Sequence, residues 1–224
     1  MRNPIPIFIS IMIFSLFGCS QSKEEKAFKV YNEGVTFSLD AGILMEEGNE
    51  GKAKDKYLMA IDKFKKTIEI DPSHKGAASS LGFGFYEIKK YGEAVHWFEK
   101  AIKTEPEFAV NYQFSGLSQI NNGNIEEGEN NIKKAFEVDG SEEMKSNTSD
   151  NLIHIGNLAY SYGEAYGEEG KAEKALDYKK FGVRILMSAL EFSDNDIRIG
   201  KMIEGYALQM NDDMLLKWIK EKLK

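Results

Sequence analysis

Few side chains in this chain of 224 residues have the chemistry to catalyse a reaction or to bind a metal, and they lie far apart. Cys19 is the only cysteine, and the three histidines are His74, His96 and His154. A metal site or a catalytic centre needs several such groups at a fixed spacing. Because the histidines fall in separate segments, we predict that the protein is not an enzyme and holds no metal or other cofactor.

The apolar segment before Cys19 gives that thiol a separate role. Residues 5–17 are almost wholly apolar but too short to span a membrane comfortably, and Gly18 is a small residue directly before the cysteine. The run from Leu16 to Cys19 resembles the lipobox of bacterial lipoproteins, in which the thiol receives a diacylglyceryl group and the chain is cut before it. The resemblance implies that residues 1–18 are a signal peptide and that Cys19 is lipidated. The alternative is an ordinary signal peptide with an incidental cysteine.

The residues that follow Cys19 bear on where such a lipoprotein would be held. Residues 19–26 are mostly polar and charged, which predicts a lipidated N-terminus and a short tether. Several acyl chains together hold a protein stably at a bilayer. Ser20, and not an aspartate, follows the cysteine, which in some bacterial lipoproteins favours transfer to the outer membrane. We therefore expect a lipid-anchored protein of the cell envelope, in the outer membrane and facing the periplasm.

A period of 34 residues runs through the middle of the chain, between Pro72 and Pro106. When Lys75–Phe108 is numbered as positions 1 to 34, small residues stand at positions 8, 20 and 27 and larger apolar residues at positions 7, 11 and 24. Small residues let two antiparallel helices approach closely, and the larger residues fill the space between them. In chain order these residues are Leu81, Gly82, Phe85, Ala94, Phe98 and Ala101.

This pattern resembles the tetratricopeptide repeat (TPR), with Ala78 in place of the aromatic residue often found at position 4. Pro106 stands at position 32, where it stops the second helix. The next segment keeps the register less strictly, and Gly140 replaces the closing proline. Its matching residues are Tyr112, Gly116, Gly128 and Ala135.

Two further units flank these repeats. Upstream, a first helix over Val35–Glu47 and a second helix that ends at Pro72 form a pair with about seven residues more than the pattern allows, which predicts unusual helix lengths. Downstream, a fourth unit is centred on Tyr162 and Gly163. We therefore predict an all-α fold, a TPR-like α-solenoid of about four helix-turn-helix repeats over residues 27–187.

The end of the chain departs from the repeat pattern. Two helices are predicted, over Asp194–Met210 and Asp213–Leu223, and the second has one apolar stripe. A solenoid needs a terminal element with a polar outer face to cover its last repeat. We assign residues 188–224 to C-terminal capping helices, with a membrane-surface helix as the alternative.

The charge of the chain limits its partners. The sequence carries 29 Lys and Arg against 36 Asp and Glu, a formal net charge of −7 at pH 7. Removal of residues 1–18 would take away only the charge of Arg2. An acidic surface of this kind disfavours nucleic acid and offers no polybasic membrane patch.

The resemblance to TPR proteins also implies a binding surface, because the first helix of each repeat lines a concave groove in that family. An apolar patch there suits an extended segment or a helix of a partner. The alternative is that neighbouring repeats, or an insertion over residues 141–155, cover it. The predicted protein-binding residues are Phe83, Tyr86, Glu87, Gln113, Leu117, Ile120, Asn121 and Tyr160.

One subclass of TPR proteins binds the C-terminal carboxylate of its partner with lysines and asparagines in the groove. The corresponding positions here carry Ser79, Phe83, Gln113 and Leu117, so that clamp is absent. The resemblance therefore implies an interaction scaffold or adaptor for envelope proteins. The motifs do not identify the partner or the oligomeric state. The alternative is a receptor for a small ligand or glycan in the aromatic-lined groove.

Overall fold

The computed structural model describes residues 22–224, and these form ten α-helices and no strand. Cys19 and the predicted signal peptide lie outside the described residues. The all-α prediction is confirmed. The helices are α1 (Lys23–Glu46), α2 (Glu50–Ile70), α3 (Ala77–Glu87), α4 (Tyr91–Thr104), α5 (Ala109–Asn121), α6 (Ile125–Val138), α7 (Glu142–Glu168), α8 (Ala172–Phe192), α9 (Ile197–Met210) and α10 (Asp213–Lys222).

The helices pack in consecutive pairs, α1 with α2 through α9 with α10, and each pair packs on the next. In the first four pairs, three residues join the two helices, and one of the three has a positive φ. The four residues in this left-handed conformation are Gly48, Lys89, Gly123 and Gly170. The predicted solenoid of four repeats with C-terminal helices is confirmed.

The turns between pairs also share one backbone conformation. The residues that end α2, α4 and α6 are Asp71, Glu105 and Asp139, with φ of −135°, −138° and −137°. A proline disfavours helical backbone in the residue before it, which explains the first two turns. Gly140 follows Asp139 in place of a proline, yet the chain leaves the helix in the same way.

The small residues of the repeat pattern allow the two helices of each pair to pack closely. A Cβ added to Gly116 of α5 would lie 2.6 Å from the carbonyl oxygen of Gly128 in α6, and a Cβ on Gly128 would lie 2.6 Å from that of Gly116. In the preceding pair, a Cβ on Gly82 would lie 3.0 Å from the ring of Phe98. The helix axes can approach this closely only because these positions lack a side chain.

The first pair is longer than the sequence indicated. Helix α1 begins at Lys23, not at Val35, so it includes part of the segment predicted to be a tether over residues 19–26. The reason is a capping box, in which Ser22 accepts a hydrogen bond from the backbone of Glu25 and the Glu25 side chain accepts one from the backbone of Ser22. With 24 residues in α1 and 21 in α2, the expected unusual helix lengths are confirmed.

The fourth pair is also long, with 27 residues in α7 and 21 in α8. Residues 141–155 are not a separate insertion, because α7 begins at Glu142 and continues without a break to Glu168. Helix α8 ends at Phe192, beyond the predicted boundary between repeats and capping helices at residue 187. The two predicted C-terminal helices are present as α9 and α10.

The two ends of the stack differ in how they are covered. At the C-terminal end, Ile199, Ile203 and Ile219 of α9 and α10 are fully or almost fully buried in the core. At the other end, α1 leaves Phe28 and Leu39 more than half exposed. Among residues 22–224, no helix has the length and apolar character that a membrane span requires.

The contact between α5 and α6 generates a stability prediction. Replacement of Gly116 by Ala should lower the free energy of unfolding by about 1–3 kcal/mol, because the new methyl group overlaps the backbone of α6. Urea unfolding followed by circular dichroism measures this change.

Gly92 provides the matched control, since it lies in the first turn of α4 and a Cβ there would have no neighbour within 4 Å. Gly92→Ala should leave the stability unchanged or raise it by up to about 1 kcal/mol. Equal effects of the two substitutions would contradict the proposed role of close helix approach.

Candidate functional site

The inner face of the stack is formed by the first helix of each pair. Besides the contacts within and between pairs, α1 touches α3, α3 touches α5, and α5 touches α7. Successive first helices therefore line the same side of the solenoid, where the sequence placed a partner-binding groove.

Helix α3 carries the part of this face that remains open. Phe83 and Tyr86 are both half-buried, and both rings meet the ring of Phe114 on α5 edge to face, with centroid distances of 5.3 and 5.2 Å. Phe83 also meets Tyr57 of α2 at 6.5 Å. We call Tyr57, Phe83, Tyr86, Glu87 and Phe114 the α3 aromatic patch. Aromatic rings in this arrangement give a rigid apolar surface at small cost in conformational entropy.

Glu87 is the charged member of the α3 aromatic patch. It is half-buried, and burial raises the pKa of its carboxyl above the usual value, while a hydrogen bond from Tyr57 acts in the opposite direction. Burial, together with the nearby charge of Glu87, also raises the pKa of the Tyr57 phenol. A carboxylate that has lost part of its hydration beside aromatic rings is suited to receive a cationic side chain.

Helix α5 does not offer the surface that the sequence analysis predicted. Gln113, Leu117 and Ile120 are buried, because α5 packs against both α6 and α7. The amide of Gln113 donates a buried hydrogen bond of 2.8 Å to the hydroxyl of Thr148 on α7. Leu117 and Ile120 belong to the same apolar cluster as Leu152 and Ile155 of α7. These three predicted binding residues therefore stabilise the fold and present no side chain to a partner.

The last two predicted groove residues have local roles. Asn121 is half-buried at the end of α5, and its side-chain amide donates to the carbonyl oxygen of Leu117 at 2.9 Å. Tyr160 of α7 is almost fully buried and stacks on Tyr206 of α9, with centroids 3.7 Å apart, while its hydroxyl donates to Gln209 at 2.9 Å. Burial raises the pKa of the Tyr160 phenol to about 12. Tyr160 fixes the C-terminal helices and does not line an open groove.

The histidines lie apart in the folded chain. His74 is half-buried with its ring 4.6 Å from that of Tyr31, whereas His96 and His154 are exposed. Among residues 22–224, no group of three or more His, Cys, Asp or Glu side chains is arranged to hold a metal ion.

Sequence reasoning missed two members of the α3 aromatic patch. Tyr57 lies in the first pair, where the extra residues remove the repeat register that would have placed it. Phe114 stands at position 6 of its repeat, outside the positions expected to face the groove. Its aromatic type was a usable signal, because a large ring beside Gln113 and Ser115 must find an apolar neighbour.

Comparison with known proteins adds sequence relatives. No model of a known protein family matches the chain. Heat shock protein STI1 of Saccharomyces cerevisiae is 30% identical over 106 residues, which cover 46% of this chain and 18% of that protein. The small glutamine-rich tetratricopeptide repeat-containing protein 2 of Mycosarcoma maydis is 29% identical over 45% of this chain and 29% of its own length. The TPR repeat-containing protein MJ1428 of Methanocaldococcus jannaschii is 28% identical over 70% of this chain and 23% of its own length. The chain thus spans less than a third of each of these relatives.

Solved structures also align with the chain. The MamA protein aligns over 82% of this chain and 90% of its own, with 18% identity and a TM-score of 0.46. The first TPR of Spaghetti (RPAP3) bound to the HSP90 peptide SRMEEVD aligns over 54% of this chain and 91% of its own, with 16% identity and a TM-score of 0.42.

The register of small and aromatic residues, the consecutive helix pairs and the TPR-containing sequence relatives lead to one assignment. The chain has the fold and residue pattern of tetratricopeptide repeats, and it is similar in sequence to TPR-containing proteins.

Proposed function

We propose that the chain is a lipid-anchored bacterial adaptor, which holds a partner protein of the cell envelope against the α3 aromatic patch. TPR relatives support a role in protein–protein interaction. The α3 aromatic patch is the observation that carries the proposal, because Phe83, Tyr86 and Glu87 lie together on the predicted groove and each keeps part of its surface exposed.

The chemistry of the patch defines the partner segment. Phe83 and Tyr86 offer apolar surface, and Glu87 lies beside them with its carboxyl partly desolvated. An extended segment with one lysine or arginine next to an apolar side chain matches both features. The cation would lie over the rings and approach the Glu87 carboxylate.

The groove does not suit the recognition of a C-terminal carboxylate. Ser79 is hydrogen-bonded to Asn111 at 2.6 Å, and Gln113 to Thr148 at 2.8 Å. Leu117, at another of the positions concerned, is fully buried. These side chains serve contacts between helices, and none of them is a cation.

The proposed anchor lies close to the folded domain. Helix α1 begins at Lys23, so three residues separate Cys19 from the first helix. A lipid on Cys19 would hold the first helix pair near the membrane surface, on the periplasmic side of the outer membrane in our proposal. Stable attachment needs at least two acylated sites. Bacterial lipoproteins are modified at both the cysteine thiol and the new N-terminus, which would meet this need.

The first test is site-specific crosslinking in the source cells, with a photoreactive phenylalanine analogue in place of Phe83. A defined protein should crosslink at this position, and the added substitution Glu87→Lys should abolish the product because it places a cation against the cation of the partner. The same analogue at the exposed Leu208 of α9 is the control and should give no such product.

Absence of a specific protein product at Phe83 would contradict the adaptor. A product of equal yield with Glu87→Lys, in a variant whose helical content is unchanged, would contradict the recognition of a cation.

The raised pKa of Glu87 gives this interaction a pH dependence. The carboxyl loses its charge as the pH falls through a pKa that lies above the ordinary value of 4.5, so affinity for a cationic segment should decrease toward acid pH. Calorimetric titration of the purified protein with the partner identified by crosslinking, at several pH values, measures this affinity. Glu87→Gln should bind more weakly at neutral pH and show a flatter profile, whereas an unchanged profile would show that another group controls it.

The lipid anchor has an independent test. Metabolic labelling with a fatty-acid analogue should label the wild-type protein, and Cys19→Ala should remove the label because the thiol is the acceptor. Membrane fractionation of both forms should show release of the variant from the membrane fraction. Labelling that persists in Cys19→Ala would contradict the anchor but would leave the partner-binding proposal standing.

A further inference from the structure

A cavity of about 530 Å³ lies between α2 and α4, where the turn after Pro72 enters α3. Its wall contains Ile68, Pro72, Ala78 and Trp97, and its rim contains lysines 75, 100 and 103. The volume falls within the range of about 300–1,000 Å³ found for ligand sites. The cavity does not include any residue of the α3 aromatic patch.

Ala78 accounts for the space. The residue 34 positions later, at the same place in the next repeat, is Tyr112. A tyrosine has seven side-chain heavy atoms more than an alanine, and at position 78 such a ring would extend into the cavity. The third repeat thus carries a large side chain at the position where the second repeat has alanine and this cavity.

The chemistry of the cavity is divided between wall and rim. Trp97 is half-buried and gives a flat apolar surface, and the ammonium group of Lys100 lies 4.1 Å from the centre of its ring. Lys75, Lys100 and Lys103 are all exposed, so their charges lie at the mouth and not within. This local positive charge contrasts with the net negative charge of the chain.

One acidic side chain also borders the cavity, but it faces the protein. The carboxylate of Glu105 is almost fully buried and accepts a hydrogen bond of 2.8 Å from the backbone N–H of Gly76, directly before α3. It thus stabilises the start of α3 and the local turn. The charge at the solvent-exposed rim is that of the lysines.

We infer that this cavity is a second protein-binding site, which takes one large apolar side chain from an acidic segment of a partner. The apolar side chain replaces the aromatic ring that position 78 lacks, and flanking carboxylates pair with the lysines at the mouth. The lysine charges lie at the rim, so an acidic segment that crosses the rim can pair with them. A small molecule held inside the cavity would not reach these lysines. The two sites accept opposite charges, so one partner segment does not satisfy both.

The test uses the fluorescence of Trp97 in the full mature chain with Trp218→Phe, which leaves Trp97 as the single tryptophan. The probe is the peptide Gly-Glu-Glu-Phe-Glu-Glu-Gly with blocked ends. It should give a saturable change in Trp97 emission. The same peptide with Ala in place of Phe should bind about ten-fold more weakly or not at all, because the buried ring is lost.

Two variants locate the binding. Ala78→Tyr fills the cavity with the residue type that the next repeat has at this place, and it should abolish binding while the protein keeps its stability. Lys100→Glu/Lys103→Glu should weaken binding by about ten-fold or more. Lys133→Glu/Lys134→Glu, at two exposed lysines of α6, is the charge control and should leave the Kd unchanged.

The inference is overturned if the peptide causes no saturable change, or if folded Ala78→Tyr binds it with the parent Kd. If Ala78→Tyr does not fold, the lysine variants decide, and equal weakening by the α4 and α6 pairs overturns the site. A titration with decanoate tests a free amphipathic anion, and saturable binding of decanoate without binding of the peptide overturns the assignment to a protein partner.

Discussion

Helices α5 and α6 touch through backbone, because neither Gly116 nor Gly128 has a side chain to keep them apart. The carbonyl oxygen of each lies 2.6 Å from the place where a Cβ on the other would stand. Gly156 and Gly182 create a similar contact between α7 and α8. These contacts set the distance between paired helices, and that distance decides which larger side chains fit between the pairs. The stacking of pairs, the aromatic clusters between them and the position of the first helices all depend on it.

The length of α7 divides the inner face of the solenoid into two parts. Its N-terminal half packs on α5, where the Gln113–Thr148 hydrogen bond satisfies two polar groups inside the contact. With α6 on the other side, this leaves Gln113, Leu117 and Ile120 buried. The α3 aromatic patch lies beyond the reach of this cover and keeps exposed surface. The surface that stays accessible is centred on α3, with one neighbouring ring each from α2 and α5. In the proposed function, specificity would rest on a few residues and not on an extended surface.

The repeat could be read from the sequence because its determinants are local. Small residues at fixed spacing and the prolines that end the first two pairs act within one repeat, so helices α3 to α6 followed directly. The C-terminal pair departs from the repeat pattern, and the apolar stripe of its last helix indicated it. The start of α1 was also readable, since Ser22 and Glu25 form the S-x-x-E pattern of a capping box. Exposure in the groove was not readable, because it depends on α7, which contacts α5 from outside the repeat. The role of Tyr57 depended in the same way on a pair without regular register.

Helix α3 is short and rich in residues that form helices poorly. It has 11 residues, and its sequence includes Ser79, Ser80, Gly82 and Gly84. Intrinsic propensity alone would not keep such a segment helical, so its conformation is imposed by α2, α4 and α5. The aromatic patch and the cavity beside Ala78 both lie on this helix, one toward its end and one at its beginning. Both places therefore depend on the same neighbouring helices, which hold α3 in its helical conformation.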